Sequence, residues 1–494
     1  MMSLRRGVFL GGAITVLLCH AHCTDVPANN VGDGGSGSGD MTMVTPPQNP
    51  PAELAITSVN PPRFAQDQAT TLSIGGTGFK AGATVTVGGV SCASPTVSQV
   101  NFTGTLITCA LPAQPKTCGN QNIVVTNPDN TTVSNNQLFL RHPAAPAYAA
   151  RAVISVGATP DTVLIADLDG DGKQDLVYTQ RGANSIAVRL GVGDGTFPNV
   201  ATYASGGTTP VELALADFNN DNKLDVAVAN LNGGGVGILL GNGNGTFQAA
   251  KMIAAATPHG LAVGDVNGDG KMDVLVSNQV SAVNVFIGDG AGGLTAANPA
   301  TIPVGSVPYD LALGDLNNDG KLDVVATNFN DKTLSIRLGN GNGTFSNTST
   351  LNTNAGPIGV LISDLNADKN LDIVVVNQTA GNASIFLGDG TGVFGNPSTL
   401  NLGSGPRQVW VADMNRDGLL DLTFSNSSSS NVGVYLGNGQ GSFTGATGAT
   451  LFGVGSTPFG VTAGDLNGDG NRDLVVADSG SSTLSVLLAT ELCK

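Results

Sequence analysis

A nine-residue acidic segment recurs seven times along this chain: DLDGDGKQD at 167, DFNNDNKLD at 217, DVNGDGKMD at 265, DLNNDGKLD at 315, DLNADKNLD at 364, DMNRDGLLD at 413 and DLNGDGNRD at 465. Positions 1, 3, 5 and 9 of each carry side-chain oxygens. They are Asp167, Asp169, Asp171 and Asp175; Asp217, Asn219, Asp221 and Asp225; Asp265, Asn267, Asp269 and Asp273; Asp315, Asn317, Asp319 and Asp323; Asp364, Asn366, Asp368 and Asp372; Asp413, Asn415, Asp417 and Asp421; Asp465, Asn467, Asp469 and Asp473. Position 7 adds a backbone carbonyl, from Lys173, Lys223, Lys271, Lys321, Asn370, Leu419 and Asn471 in turn. Hard oxygens at this spacing suit a cation of calcium size, one per segment, and so up to seven ions. Glycine at position 6 permits the left-handed backbone that wraps the segment around an ion. Asp and Asn at such spacings are also good turn formers, but seven repetitions with Asp always at position 9 are more than a turn requires.

The segments differ in ways that rank them. The first carries four aspartates and is expected to bind most tightly on charge. In the second, Asn222 replaces the glycine, which Asn tolerates. The fifth is expected to be weakest, because Lys369 at position 6 combines an ill-suited backbone with a repelling charge. The opening residues look like an EF-hand loop, but that loop needs Glu at position 12, where Tyr178 and Val276 stand. These segments run into strands.

The positioning elements repeat with them. A proline precedes each first aspartate by seven residues, at Pro160, Pro210, Pro258, Pro308, Pro357, Pro406 and Pro458. A glycine hairpin of the type LGNGNGTF follows, ending at Phe197, Phe247, Leu294, Phe345, Phe394 and Phe443. Each unit therefore reads as strand, acidic segment, strand, polar loop, strand, hairpin, strand. Spacings of 48 to 52 residues between segments, without helical periodicity, predict an all-β chain with a seven-bladed β-propeller over residues 146–494. Six hairpins serve seven segments, and residues 147–156, AYAARAVISV, stand where a fourth strand is missing. That strand is expected to complete the last blade beside residues 484–489 and leave the ring without an edge.

In spacing, acidic segment and hairpin, these units resemble the FG-GAP/VCBS repeat family and the N-terminal propeller of integrin α subunits. The resemblance implies that each acidic loop binds calcium between the first and second strands, on one face, where the ion stiffens the blade.

Residues 53–142 form an earlier unit. Apolar and polar residues alternate in ATVTVGGV (83–90) and NIVVTNPDN (122–130), predicting the short strands of a sandwich. Through ITSVNPP at 56, GTGF at 76, VTVGGVSC at 85, ITCALPA at 107 and VVTNPD at 124, the unit resembles an IPT/TIG domain, an immunoglobulin-like spacer or binding module. Four cysteines at 92, 109, 118 and 493 allow three pairings. Cys92 with Cys109 is the local candidate, leaving Cys493 alone or with Cys118.

Ahead of this unit, Arg5 and Arg6 lead an apolar stretch from 7 to 18, too short to span a bilayer, so residues 1–23 read as a secretory signal. Acylation at Cys19 or Cys23 would give a lipid anchor. Val16-Leu17-Leu18 lacks a small residue and His20-Ala21-His22 lacks an apolar lead, which favours plain secretion. Residues 24–52, rich in Gly, Ser, Asn and Pro, read as a flexible tether.

Composition narrows the function. Against 21 Lys and Arg stand 37 Asp and Glu, a net charge of −16 that excludes nucleic acid as a partner. No later segment is long and apolar enough for a membrane span. Among the four histidines no nucleophilic triad or zinc spacing is present, and no blade carries an inserted loop, so no catalytic site is expected. One tryptophan and five tyrosines are few for stacking on sugars, and Trp410 reads as packed core. The residues just after the prolines vary from blade to blade: Asp161, Glu212, His259, Tyr309, Asp310, Arg407, Gln408 and Phe459. Opposite the acidic loops, they are the candidate surface for a protein or glycan ligand of unknown identity. The sequence thus reads as a non-catalytic, calcium-binding adhesion or binding module, secreted or at the cell surface. The alternative is a secreted carbohydrate-active enzyme or lectin on the same scaffold.

Overall fold

The computed structural model describes residues 53–65, 69–99, 104–113, 119–136, 140–142, 146–444 and 450–490. The signal, the tether, Cys118 and Cys493 lie outside the described residues.

The alternating runs of the first unit become the antiparallel strands Thr84–Val87 and Ile123–Thr126. With Thr132–Asn135 and Val90–Ser91 they make one four-stranded sheet; Ala55–Asn60, Thr70–Thr77, Thr105–Leu111 and Ala93–Gln99 make a second. Their inward residues, including Leu72, Ile74, Ile107, Ile123 and Val125, are buried in one apolar cluster. Cys92 sits between Val90–Ser91 and Ala93–Gln99 and is disulfide-bonded to Cys109, the local pairing.

Between residues 146 and 490, the described residues form seven four-stranded antiparallel sheets. The fourth of these blades is Pro308–Gly314, Asp323–Asn328, Thr333–Gly339 and Phe345–Asn352. Second strands such as Asp323–Asn328 and Asp372–Asn377 are buried at every residue. They read as continuous apolar runs because a neighbouring blade covers each face. First strands touch in series from Thr208–Ala216 round to Pro458–Gly464 and on to Val163–Ala166, and Asp175–Gln180 of the first blade touches Thr208–Ala216 of the second. Each pair of neighbouring blades shares one apolar cluster. The core is therefore a ring of wedges, and no blade buries its faces alone.

The prolines now have a structural reason. Ladder register skips between Pro210 and Glu212, Pro308 and Leu311, Pro357 and Gly359, Pro406 and Val409, and Pro458 and Val461. Proline lacks the N–H that a ladder needs, and a bulge re-aims the residues beside it. Those re-aimed residues point into the channel, as described below.

The ring closes as expected. Ala152–Ser155 pairs antiparallel with Thr483–Leu487, matching Ala152 to Val486 and Ser155 to Thr483. The clasp extends both ways: Val156 N donates to Ser482 O at 3.1 Å, Ala149 N to Leu488 O at 2.8 Å, and Thr490 N to Ala147 O at 2.8 Å. Val156 and Ile154 pack into the cluster between the first and last blades. Tyr148 meets Phe452 of the sixth blade edge-on, with ring centroids 4.7 Å apart.

Candidate metal loops and the opposite channel mouth

Each acidic segment joins the first and second strands of its blade, and its own amides hold it in shape. In every loop the position 1 carboxylate accepts the position 6 N–H, as Asp167 does from Gly172 at 2.9 Å and Asp364 does from Lys369 at 2.9 Å. Position 3 accepts the N–H of position 5, and position 5 accepts that of position 7. Position 6 is left-handed throughout, from φ 62° at Asn222 to 82° at Gly172. So is position 4, which the sequence reading missed, occupied by Gly170, Asn220, Gly268, Asn318, Ala367, Arg416 and Gly468.

The fifth loop thus holds two residues, Ala367 at φ 60° and Lys369 at 73°, in a conformation that L side chains resist. Lys369→Gly should raise stability by about 1 kcal/mol and strengthen the loop's hold on a cation. Thermal melts with and without calcium check both effects; equal melting of variant and parent would count against the strain.

The donor set fits a hard cation. In the first loop, one carboxylate oxygen from each of Asp167, Asp169 and Asp175 lies within 4.8 Å of the others. An ion with oxygens at roughly 2.3–2.6 Å can bridge such a triangle. The other loops have Asn at position 3 and so one carboxylate fewer. Lysines at position 7 currently partner position 5: Lys173 Nζ lies 2.7 Å from Asp171, and Lys223, Lys271 and Lys321 lie 3.3–3.4 Å from Asp221, Asp269 and Asp319. These pairs are solvent-exposed and weak, so they leave the position 5 carboxylates open to a stronger cation.

Position 9 does more than the sequence reading assigned. All seven of these aspartates are 0% exposed. Each spans two backbone donors, the position 2 N–H through one oxygen and a residue of the outer hairpin through the other. Asp225 accepts from Phe218 at 2.8 Å and from Gly241 at 2.7 Å; Asp421 accepts from Met414 at 2.8 Å and from Gly437 at 2.9 Å. The same bracket recurs at Asp175, Asp273, Asp323, Asp372 and Asp473. Glycine is required at the hairpin end, because a Cβ at Gly241 would collide with the Leu224 carbonyl oxygen. In the last blade Ala489 donates instead. Position 2 also reaches sideways: Leu168 O accepts from Gly245 N of the next blade at 3.0 Å, and Phe218 O from Gly292 N at 3.0 Å. Loop, hairpin and neighbouring blade are therefore one connected unit.

Burial pushes the carboxyls of Asp175, Asp225, Asp273, Asp323 and Asp473 up to about 6 from an ordinary 3.8, and raises Asp372 and Asp421 as well. The folded chain then holds these protons to higher pH than the unfolded chain does. Their contribution is fully present below the unfolded value and is lost as pH climbs through the folded one. In EDTA the melting temperature should fall between about pH 4 and pH 6, and saturating calcium should abolish that fall. A metal-free melting temperature that rises across this window would contradict the burial of these groups.

At the other end of the first strands, the residues that follow the prolines meet, five of the seven blades carrying a bulge there. Asp161, Glu212, His259, Tyr309, Asp310, Arg407, Gln408 and Phe459 all line one cavity of about 130 Å³, to which Ile358 adds the fifth blade. Side chains there also tie blades together: Gln408 Oε1 accepts from Val461 N at 2.7 Å, Asp310 Oδ2 from Val360 N at 3.1 Å, and Thr162 Oγ1 donates to Val211 O at 2.9 Å. Asp161 lies 3.4 Å from the Arg181 guanidinium, yet burial dominates and lifts its carboxyl to about 6. Arg181 was not singled out in the sequence, since it follows the second strand. Trp410 lies on the first strand of the sixth blade, partly buried against the cluster shared with the last blade.

Comparison with known proteins agrees with this architecture. The signature of the FG-GAP-like repeat matches residues 167–228, 217–276, 265–326, 315–375, 364–424 and 422–476, and that of the IPT/TIG domain matches 54–140. No curated protein matches the chain. Among solved structures, the BBS1N chain of a BBS1N–ARL6DN complex is similar at 16% identity and a TM-score of 0.51, over 70% of this chain and 98% of that one. The Pseudomonas aeruginosa periplasmic gluconolactonase is similar at 15% identity and a TM-score of 0.47, over 69% and 93%. The rhamnogalacturonan lyase YesW is similar at 12% identity and a TM-score of 0.40, over 87% and 89%. With acidic loop, hairpin and repeat signature coinciding over most of its length, the chain belongs to the FG-GAP-like repeat family and carries an IPT/TIG domain ahead of its propeller.

Proposed function

We propose that this protein is an exported, non-catalytic binding or adhesion module whose propeller is stabilised by calcium. The supporting observation is the sevenfold acidic loop, wrapped by its own amides and bracketed by a buried position 9 aspartate. Calcium at positions 1, 3, 5, 7 and 9 would screen the crowded carboxylates and, through position 2, brace the next blade. Loss of Arg5 and Arg6 with a signal would take the net charge from −16 to −18, and seven doubly charged ions would return it to −4. Ligand recognition falls to the other mouth of the channel, where blade sequences differ and mixed charges meet. The charged groups there serve structure in a way that disfavours acid–base work: Asp310 gives both oxygens to backbone amides and Asp161 faces Arg181.

The deciding experiment counts calcium per purified chain and compares melting with and without EDTA. Several ions per chain and a melting temperature that drops on chelation are expected. Fewer than three ions, or unchanged melting, would defeat the metal assignment. No helix of the described residues is long and apolar enough to cross a membrane. Fractionation of the native host checks export and separates secretion from lipid anchoring at Cys19 or Cys23.

A further inference from the structure

We propose that the channel mouth opposite the acidic loops binds a carboxylate group, read by the guanidinium of Arg407. The proposal rests on the binding-module reading and gives that reading a ligand chemistry.

Arg407 is re-aimed by the bulge after Pro406, and its guanidinium carbon lies 3.7 Å from the ring centroid of Phe459 on the next blade. Stacking occupies the face of the group and leaves its planar edge of N–H donors, the geometry that takes a carboxylate in two parallel hydrogen bonds. Among the described residues nothing takes those bonds. Of the anions nearby, Asp161 acts on Arg407 through its charge but takes its hydrogen bond from Arg181. Asp310 accepts backbone amides from Leu311 and Val360, and Glu212 lies beside Asp161 on the second blade. A cation without hydrogen bonds in a buried cleft is costly, and burial already lowers the basicity of Arg407. A bound anion removes that cost.

A second group points the same way. His259 stacks edgewise on Tyr309, with centroids 4.4 Å apart, and its Nδ1 is hidden from solvent with no hydrogen-bond partner among the described residues. Burial keeps this imidazole neutral, pushing it down to about 4. The ring lines the cavity without adding charge. The cavity of about 130 Å³ holds a carboxylate and a few carbons, so a larger ligand would insert only its acidic end.

The test titrates the full calcium-loaded chain by calorimetry with sodium acetate, acetamide, and a short peptide ending either in a free carboxylate or in an amide. Acetate or the free-acid peptide should bind saturably, whereas acetamide and the amidated peptide should not. Acetate binding assigns the site to small acids; binding of the free-acid peptide alone assigns it to a chain terminus. Arg407→Gln should weaken binding about tenfold to hundredfold, and Arg407→Lys should recover only part of it, since ammonium lacks the fork. Should Arg407→Gln fail to fold, the acid-against-amide comparison on the parent chain still decides. No binding of either acid, equal binding of acid and amide, or parental affinity in a folded Arg407→Gln would overturn the proposal. Calcium counting is independent of this titration, so failure of the carboxylate site and failure of the metal assignment are told apart.

Discussion

Deleting residues 146–157 should cost the propeller about 5–10 kcal/mol, most or all of the stability of an ordinary domain. The segment supplies the fourth strand of the last blade, four ladder pairs with Thr483–Leu487 and three more backbone hydrogen bonds around them. It also covers the cluster shared by the first and last blades through Ile154 and Val156, and lends hydrogen bonds from Gln180 and Arg189 their acceptors at Val156 O and Ser155 O. Without it the last blade has an open edge of the kind that aggregates. The expected result is loss of the cooperative melting transition, or a drop of well over about 10 °C. A synthetic peptide of the deleted sequence should partly restore melting in trans. A truncated chain that melts like its parent would show that the ring does not depend on this strand.

The second large effect concerns position 9. Asp225→Ala should cost about 3–5 kcal/mol, because the buried N–H groups of Phe218 and Gly241 lose their acceptor together. The loss should be present in EDTA, where only the bracket is at stake, and larger in calcium, where the loop also loses a ligand. Asp221→Asn, at exposed position 5, should change metal-free stability by less than about 0.5 kcal/mol while weakening calcium at that loop. Measuring both variants in both buffers separates the two roles. If Asp225→Ala destabilises only the calcium form, position 9 is a ligand and nothing more.

The fold was largely legible because its chemical demands recur at fixed spacing. Each acidic segment, proline and hairpin glycine has to be in place once per blade, so their period counts the blades and the missing hairpin locates the closing strand. The role of position 9 was less legible. Asp is demanded there by backbone donors on two different segments, and the only trace in sequence is a glycine 15 or 16 residues onward, from Asp175 to Gly191 or Asp273 to Gly288. Position 4 escaped because Gly, Asn, Ala and Arg all occupy it, and only the backbone reveals a common conformation. The channel mouth was legible as a set of variable residues but not as a cavity. Arg181 joins it from the far end of a second strand, and the stacking of Arg407 on Phe459 connects residues of different blades.

The clasp also sets a timetable. Thr490 Oγ1 reaches Ala147 O across 343 residues of chain. During synthesis the strand at 152–155 emerges early and has no partner until nearly the whole propeller has been made. Contacts so distant in sequence are slow to form and pay their loop entropy late. Ring closure is therefore expected late in folding, and until then both ends of the blade series would stay adhesive. A nascent chain of this kind folds all at once or waits, and its most vulnerable moment is just before the last blade arrives.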